Sequence, residues 1–252
     1  MSTPRHGWPT PADTDFVKDG AAAIRDLGDA IDATPLGLSA VVTFTASGTF
    51  EKASYPWMRA VRVRLVAGGG GGGGVPDTSA DADAGSAGGG GAGAYGEHLV
   101  PVASLASSEP ITVGAGGSGG APGGGSAGGE TSFGALCAVR GGAGGSGGQS
   151  SAFRLTTSGG FGGQAGSPPP QVGINGGRGS AGRCDDSRVT GFGDGAPSIF
   201  GGGGTGTAGN VSATGTDAIV PGSGGQGAFG NNAAARAGGA GADGLVIVEV
   251  YG

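Results

Sequence analysis

The sequence predicts a mainly β protein with a short N-terminal helix, in which a β-sandwich-like framework encloses a bundle of polyglycine-II helices. Three observations predict it. An alternating apolar strand, Val61-Arg62-Val63-Arg64-Leu65-Val66-Ala67, runs into seven consecutive glycines, Gly68–Gly74. A second apolar strand, Leu245-Val246-Ile247-Val248-Glu249-Val250-Tyr251, follows the last glycine of the field, Gly244. Between the two strands, glycine recurs every third residue.

Composition narrows the class. Of 252 residues, 66 are Gly and 14 are Pro, far from ordinary usage. A disordered low-complexity chain, a collagen-like fibre and a folded glycine-rich body compete. Charged residues make up only 13%, so charge repulsion does not force disorder. A net charge of −6 argues against nucleic acid as a main partner, because phosphate binding needs a basic face. The longest apolar runs are strand-length, so no membrane span is expected. The first eight residues contain no apolar h-region, so no secretory signal is read there. Cys137 and Cys184 can pair across the body or stay as small buried thiols; unpaired thiols are the expectation.

In chain order, residues 1–12 form a Pro-punctuated arm containing Trp8. Residues 13–35 follow as a helix, with Asp13 or Thr14 as N-cap and Pro35 as its end. Val17, Ile24 and Ile31 repeat every seven residues, with Leu27 in the second register. So thin a stripe on about five turns does not hold a lone helix in water. It packs on the body or on copies of itself. Self-association as a homotrimer is the expectation, because β-branched residues beside small ones allow close approach.

The rest, 36–252, reads as one glycine-rich β/polyglycine-II unit. Val41–Thr45 is a strand, Ala46–Thr49 a turn, and Phe50 begins the next strand. In strand 60–67, Val61, Val63 and Leu65 face one side and the arginines the other. Pairing it with Leu245–Tyr251 sets Glu249 opposite an arginine. Shorter strands are expected at His98–Ala103, Pro110–Val113 and Phe133–Val139.

Within the field, Gly114, Gly117, Gly120 and Gly123 are spaced by three. So are Gly173, Gly176, Gly179 and Gly182, and again Gly238, Gly241 and Gly244. Three is the period of a polyproline-II-type helix. Such a helix has no internal hydrogen bonds, so its N–H and C=O groups must find neighbours. Glycine edges let those neighbours approach closely, at the cost of glycine's large backbone entropy. Runs of nine to twelve residues at about 3.1 Å each span roughly 28–37 Å.

The interruptions must be displayed at tips or flanks. They are Pro76–Asp83 with Asp77, Asp81 and Asp83, then Ser167–Gln171, then Arg183-Cys184-Asp185-Asp186-Ser187-Arg188 followed by Phe192. The three aspartates lack the EF-hand spacing and its closing Glu. Solvated loops are the simpler account of each taken singly.

The order Phe44–Phe50, then Val61-Arg62-Val63, then Ala67-Gly68 opening a glycine run, then Gly239–Glu249 resembles the glycine-rich domain of bacteriophage tail proteins. His6-Gly7-Trp8-Pro9 and Thr14–Ile24 are similar to the N-terminal segment of minor tail proteins of phages infecting actinobacteria. The resemblance implies a virion protein at the tail tip or tail fibre, often trimeric, that contributes to host attachment. On it, Trp8 and Phe16 are candidates for docking to other tail-tip proteins. Asp77, Asp81, Asp83, Gln171, Arg183, Asp185, Asp186, Arg188 and Phe192 are candidates for contact with a host-envelope glycan or protein.

Other classes fit less well. His6 and His98 have no nucleophile motif around them, and neither Lys18 nor Lys52 follows a phosphate-cradling glycine loop. No enzyme, cofactor or metal is expected. Asp185 and Asp186 form the one carboxylate pair a depolymerase would use. A purely structural tail-tip component would tolerate loop exchange. An ice-binding bundle needs a more regular face, and a secreted bacterial surface protein needs an export signal.

Overall fold

The computed structural model of the protein describes residues 19–32, 37–79, 84–149, 154–185, 188–206 and 212–252. Helix α1 spans Gly20–Asp32; the expected caps at Asp13 or Thr14, Val17, Phe16 and Trp8 lie outside the described residues. On α1, Leu27 is half-buried, Ile24 is 68% exposed and Ile31 is 37% exposed. Of the described stripe residues, the single chain therefore leaves Ile24 and Ile31 exposed.

The strands follow in chain order: β1 (Leu38–Phe44), β2 (Gly48–Glu51), β3 (Ala60–Val66), β4 (Ala84–Ser86), β5 (Tyr95–Pro101), β6 (Ser108–Thr112), β7 (Thr131–Phe133), β8 (Cys137–Val139), β9 (Leu155–Thr157), β10 (Val172–Ile174), β11 (Gly182–Asp185), β12 (Arg188–Gly191), β13 (Phe229–Asn231) and β14 (Leu245–Tyr251). A five-stranded antiparallel sheet has the order β1-β14-β3-β5-β10, and a four-stranded sheet has the order β2-β6-β7-β8. The stretch 133–139, expected as one strand, is a hairpin: Gly134 takes a φ of 52° and turns the chain between β7 and β8.

The two sheets share one core. Val61, Val63 and Leu65 of β3, Val100 of β5 and Val246, Val248 and Val250 of β14 meet Phe50, Ile111, Phe133, Cys137 and Val139 of the second sheet. The alternation in the sequence is thus the alternation of buried and outward faces. Each such aliphatic contributes about 1.5–3 kcal/mol when fully buried. On the outward face, Glu249 sits opposite Arg62. It accepts a 2.6 Å hydrogen bond from Arg64 and lies 3.8 Å from Arg62. Arg62 also pairs with Glu97, which accepts a 2.5 Å bond from the Tyr95 hydroxyl. Burial pushes the Tyr95 hydroxyl up to about 12.

The sandwich lies end-on to the glycine segments. Val66, Tyr95 and Leu245 are partnered at one end of the first sheet. At that end β3, β5 and β14 connect directly to residues 67–75, 87–94 and 236–244. At the other end Leu38 is opposite Tyr251, and the Gly252 amide donates to the Gly37 carbonyl.

Residues 68–73 belong to no helix or strand, yet their backbone hydrogen bonds are complete and periodic. The amides of Gly68, Gly71 and Gly74 donate to the carbonyls of Gly129, Ser126 and Gly123. Those of Gly69, Gly72 and Val75 donate to Ala242, Gly239 and Arg236, and those of Gly70 and Gly73 to Gly91 and Gly88. In return, the carbonyls of Gly68, Gly71 and Gly74 accept from Gly142, Gly145 and Gly148. Gly69 and Gly72 accept from Gly117 and Gly120, and Gly70 and Gly73 from Gly225 and Ala228. One segment therefore bonds six neighbours, each through every third residue. This satisfies every buried backbone group of Gly68–Gly74 without a ladder or a helix.

Glycine is required here by distance. A Cβ placed on Gly69 would lie 1.9 Å from the Ser223 carbonyl oxygen, and one on Gly71 would lie 2.1 Å from that of Ser118. These are backbone atoms that no rotamer change can move aside.

Candidate functional site

The hydrogen-bond ladders fix which links gather at the end of the glycine segments remote from the sandwich. Gly148 bonds Gly74, Ser146 bonds Ser158, Gly179 bonds Gly160 and Ser180 bonds Asp194. The described parts of the links between these segments, within 76–86, 149–157 and 182–192, therefore lie at one far pole. There β9, β11 and β12 form a three-stranded sheet in the order β12-β11-β9, beside a β4–β13 ribbon. Two buried hydroxyls tie these elements together. Thr157 donates to the Ser86 carbonyl at 2.9 Å, and Ser86 donates to the Gly191 carbonyl at 2.8 Å.

Alternation gives the small sheet two unlike faces. Cys184 is buried, and burial pushes its thiol up. Arg183, Thr156, Arg188 and Thr190 are exposed. Arg183 is opposite Thr156 on one side and Gly191 on the other, and Asp185 is opposite Arg188. A register shift between Arg183 and Cys184 leaves Thr190 as the extra residue of a bulge. The Arg183 stem runs across Gly191, where an added Cβ would stand 3.3 Å from the Arg183 Cβ. Arg154 donates to Asp185 at 2.9 Å. Arg154, Thr156, Arg183, Cys184, Asp185 and Thr190 line a pocket of about 280 Å³.

The predicted contact residues divide. Arg183, Asp185 and Arg188 share this face. Asp186, Asp81 and Asp83 lie outside the described residues. Asp77 is at the same pole but turned to its own loop. It accepts bonds from the Ser79 amide and hydroxyl, which hold its carboxyl below the usual range. The adjacent Thr78 is 1% exposed and exchanges two bonds with Ala233.

Gln171 is elsewhere. Its side-chain amide brackets Leu99, accepting from the Leu99 amide at 3.0 Å and donating to its carbonyl at 3.3 Å. It continues the pairing of β5 just before β10 begins, at the sandwich end. Phe192 is half-buried and packs edge-on against Phe229 at 4.7 Å between ring centroids. It braces the pole from within.

Sequence reasoning missed Arg154, Thr156 and Thr190. The first two reach the site through a pairing of β9 with β11 that spans three residues, too short for a periodic signal.

Among the described residues no group of three or more His, Cys, Asp or Glu is placed to hold a metal ion, and no helix is long and apolar enough to cross a membrane. Cys137 and Cys184 are both free and buried, as expected from the absence of a disulfide framework. No curated protein matches the chain. The family model described as a glycine-rich domain matches residues 45–251, from the turn before β2 to the last residue of β14. The chain belongs to that glycine-rich domain family.

Proposed function

We propose that the protein is a bacteriophage virion component of the tail tip or tail fibre, a homotrimer joined through its N-terminal helix, that presents the far pole of its glycine-rich body to the host-cell envelope. The observation that carries this reading is polarity. Helix α1 leads to Gly37 and Leu38, at the sheet end opposite the glycine segments, whereas the sheet bearing Arg154, Arg183, Asp185 and Arg188 lies beyond those segments. Attachment and display are thereby separated by the length of the body. The similarity of residues 6–24 to minor tail proteins supplies the virion context.

In the same reading the periodic segments are polyglycine-II helices. Its support is the six-neighbour hydrogen bonding of residues 68–75 at a period of three. The trimer has its support in α1. Thirteen residues make a helix of about 20 Å, marginal alone in water, with Ile24 and Ile31 left exposed. The role is binding rather than catalysis.

The test is direct binding of labelled full-chain protein to actinobacterial cells. Saturable binding that is lost when 182–192 is exchanged for a neutral loop of the same length supports the reading. Cell binding that survives this exchange assigns attachment to another surface. No binding by folded, trimeric protein leaves a structural tail component.

A further inference from the structure

We propose that the outer face of the β9-β11-β12 sheet binds an acidic polysaccharide, taking one carboxylated sugar into the pocket between Arg154, Arg183 and Asp185. This rests on the display reading above and names the ligand chemistry of that pole.

Charge comes first. The chain carries −6 overall, yet this small face holds three arginines against Asp185; Asp186 lies outside the described residues. Arg154 is engaged with Asp185. Arg183 and Arg188 are exposed and make no ion pair among the described residues. The ladder places Arg188 opposite Asp185, two residues from Arg183 on the neighbouring strand. At a rise of 3.2–3.4 Å per residue and a strand spacing near 4.8 Å, the two Cα atoms stand about 8 Å apart. Arg183 and Arg188 thus stand on one face of the small sheet, Arg183 in the pocket lining and Arg188 beside it, and a guanidinium fork matches a carboxylate through two parallel N–H···O bonds.

The remaining lining selects a sugar. Thr156 and Thr190 donate and accept, and Asp185 accepts only. That set complements ring hydroxyls beside a carboxylate. A chain of glycerol phosphodiesters offers fewer hydroxyls per negative charge than a uronic-acid polymer to satisfy Asp185. Among the described residues no aromatic side chain lines the pocket, so they supply no stacking platform of the kind a neutral glycan would use. A volume of about 280 Å³ suits a single sugar ring rather than an extended groove. Gly191 keeps the Arg183 stem flat against the sheet and its head over the pocket.

The experiment uses full-chain protein and an Arg183→Ala/Arg188→Ala variant on surfaces bearing polygalacturonate, a polyglycerol phosphate or neutral dextran, at low and raised salt. Arg140→Ala, an exposed arginine at the sandwich end, is the control. Melting temperatures verify that all variants fold. The expected result is binding to polygalacturonate alone, weakened about tenfold or more by the double substitution, as loss of charged hydrogen bonds implies, and unchanged by Arg140→Ala. Equal loss with Arg140→Ala, retention by the double variant, or preference for polyglycerol phosphate or dextran overturns the proposal.

Labelled protein applied to actinobacterial cells separates the two levels. Cell binding that the double variant retains overturns the acidic-sugar site and leaves the display reading standing. Polygalacturonate binding with no cell binding supports the site and refutes the display reading.

Discussion

Substitution of Gly71 by alanine measures what holds the body together. The added Cβ would sit 2.1 Å from the Ser118 carbonyl oxygen and 2.4 Å from its carbon. Ordinary contact begins near 3.4 Å, so the two segments must separate by about an ångström or more. Gly71 also donates to Ser126 at 3.0 Å, and its carbonyl accepts from Gly145 at 2.9 Å. A shift of that size breaks both bonds. Each buried group left unmade costs about 1–3 kcal/mol, and overpacking adds about 1–3 kcal/mol. The loss is then at least about 3 kcal/mol, a large part of the ~5–15 kcal/mol that typical proteins possess. At roughly 2–4 °C per kcal/mol for a chain of this size, the melting temperature falls by at least ~6 °C. Thermal melts followed by circular dichroism measure it. Gly202→Ala, with nothing within 4 Å of the added Cβ, is the control, expected to stay within ~0.5 kcal/mol. A Gly71→Ala protein that melts with the Gly202→Ala control would refute the close-packing argument.

Further predictions concern protection, pH, thiols and assembly. The amides of Gly68–Val75 exchange with solvent as slowly as those of β3, although most of the segment is in no helix or strand; rapid exchange there removes the hydrogen-bonded interior. Glu97 is held below the usual carboxylate range by the Tyr95 hydroxyl and then by Arg62. Its contribution to stability is complete above its unfolded value near 4.5 and is lost as pH falls through the lower folded value. Glu97→Gln therefore flattens the acid limb of a melting-temperature profile, and an unchanged limb contradicts the assignment. Burial pushes the Cys137 thiol up to about 12 and raises that of Cys184, so a thiol reagent labels neither native cysteine and both after unfolding. If α1 joins the proposed trimer, Ile24→Asp yields monomer in sedimentation without unfolding the body; a trimer that persists in the variant places the contact elsewhere.

Legibility in the sequence followed the length of the repeating signal. Strands β3 and β14 announce themselves by seven alternating residues, and their pairing, with Glu249 beside the arginines, follows from register. The period of three in the glycine field is the period with which residues 68–75 bond their neighbours. Short elements were hidden. Phe133–Val139 reads as one strand because the six non-glycine residues around Gly134 are compatible with extension; only the left-handed φ at Gly134 reveals the hairpin. The β9-β11-β12 sheet has strands of three or four residues, whose partners are chosen by how the glycine segments stack. Arg183, Asp185 and Arg188 were visible as a polar interruption, but Arg154 joins them from far upstream. The contacts of Gln171 and Phe192 were hidden for a related reason. Polar or aromatic residues beside glycine runs also serve as braces, and a bracket on Leu99 or an edge-on contact with Phe229 leaves no local signature.

The central claim is that the folded body displays a host-binding pole, and phage adsorption tests it most directly. The rate of phage attachment to susceptible cells is measured against rising concentrations of the purified protein. The account predicts a saturable fall in that rate, lost with the 182–192 exchange and kept with Gly202→Ala. Attachment unaffected by the folded protein at every concentration would contradict it.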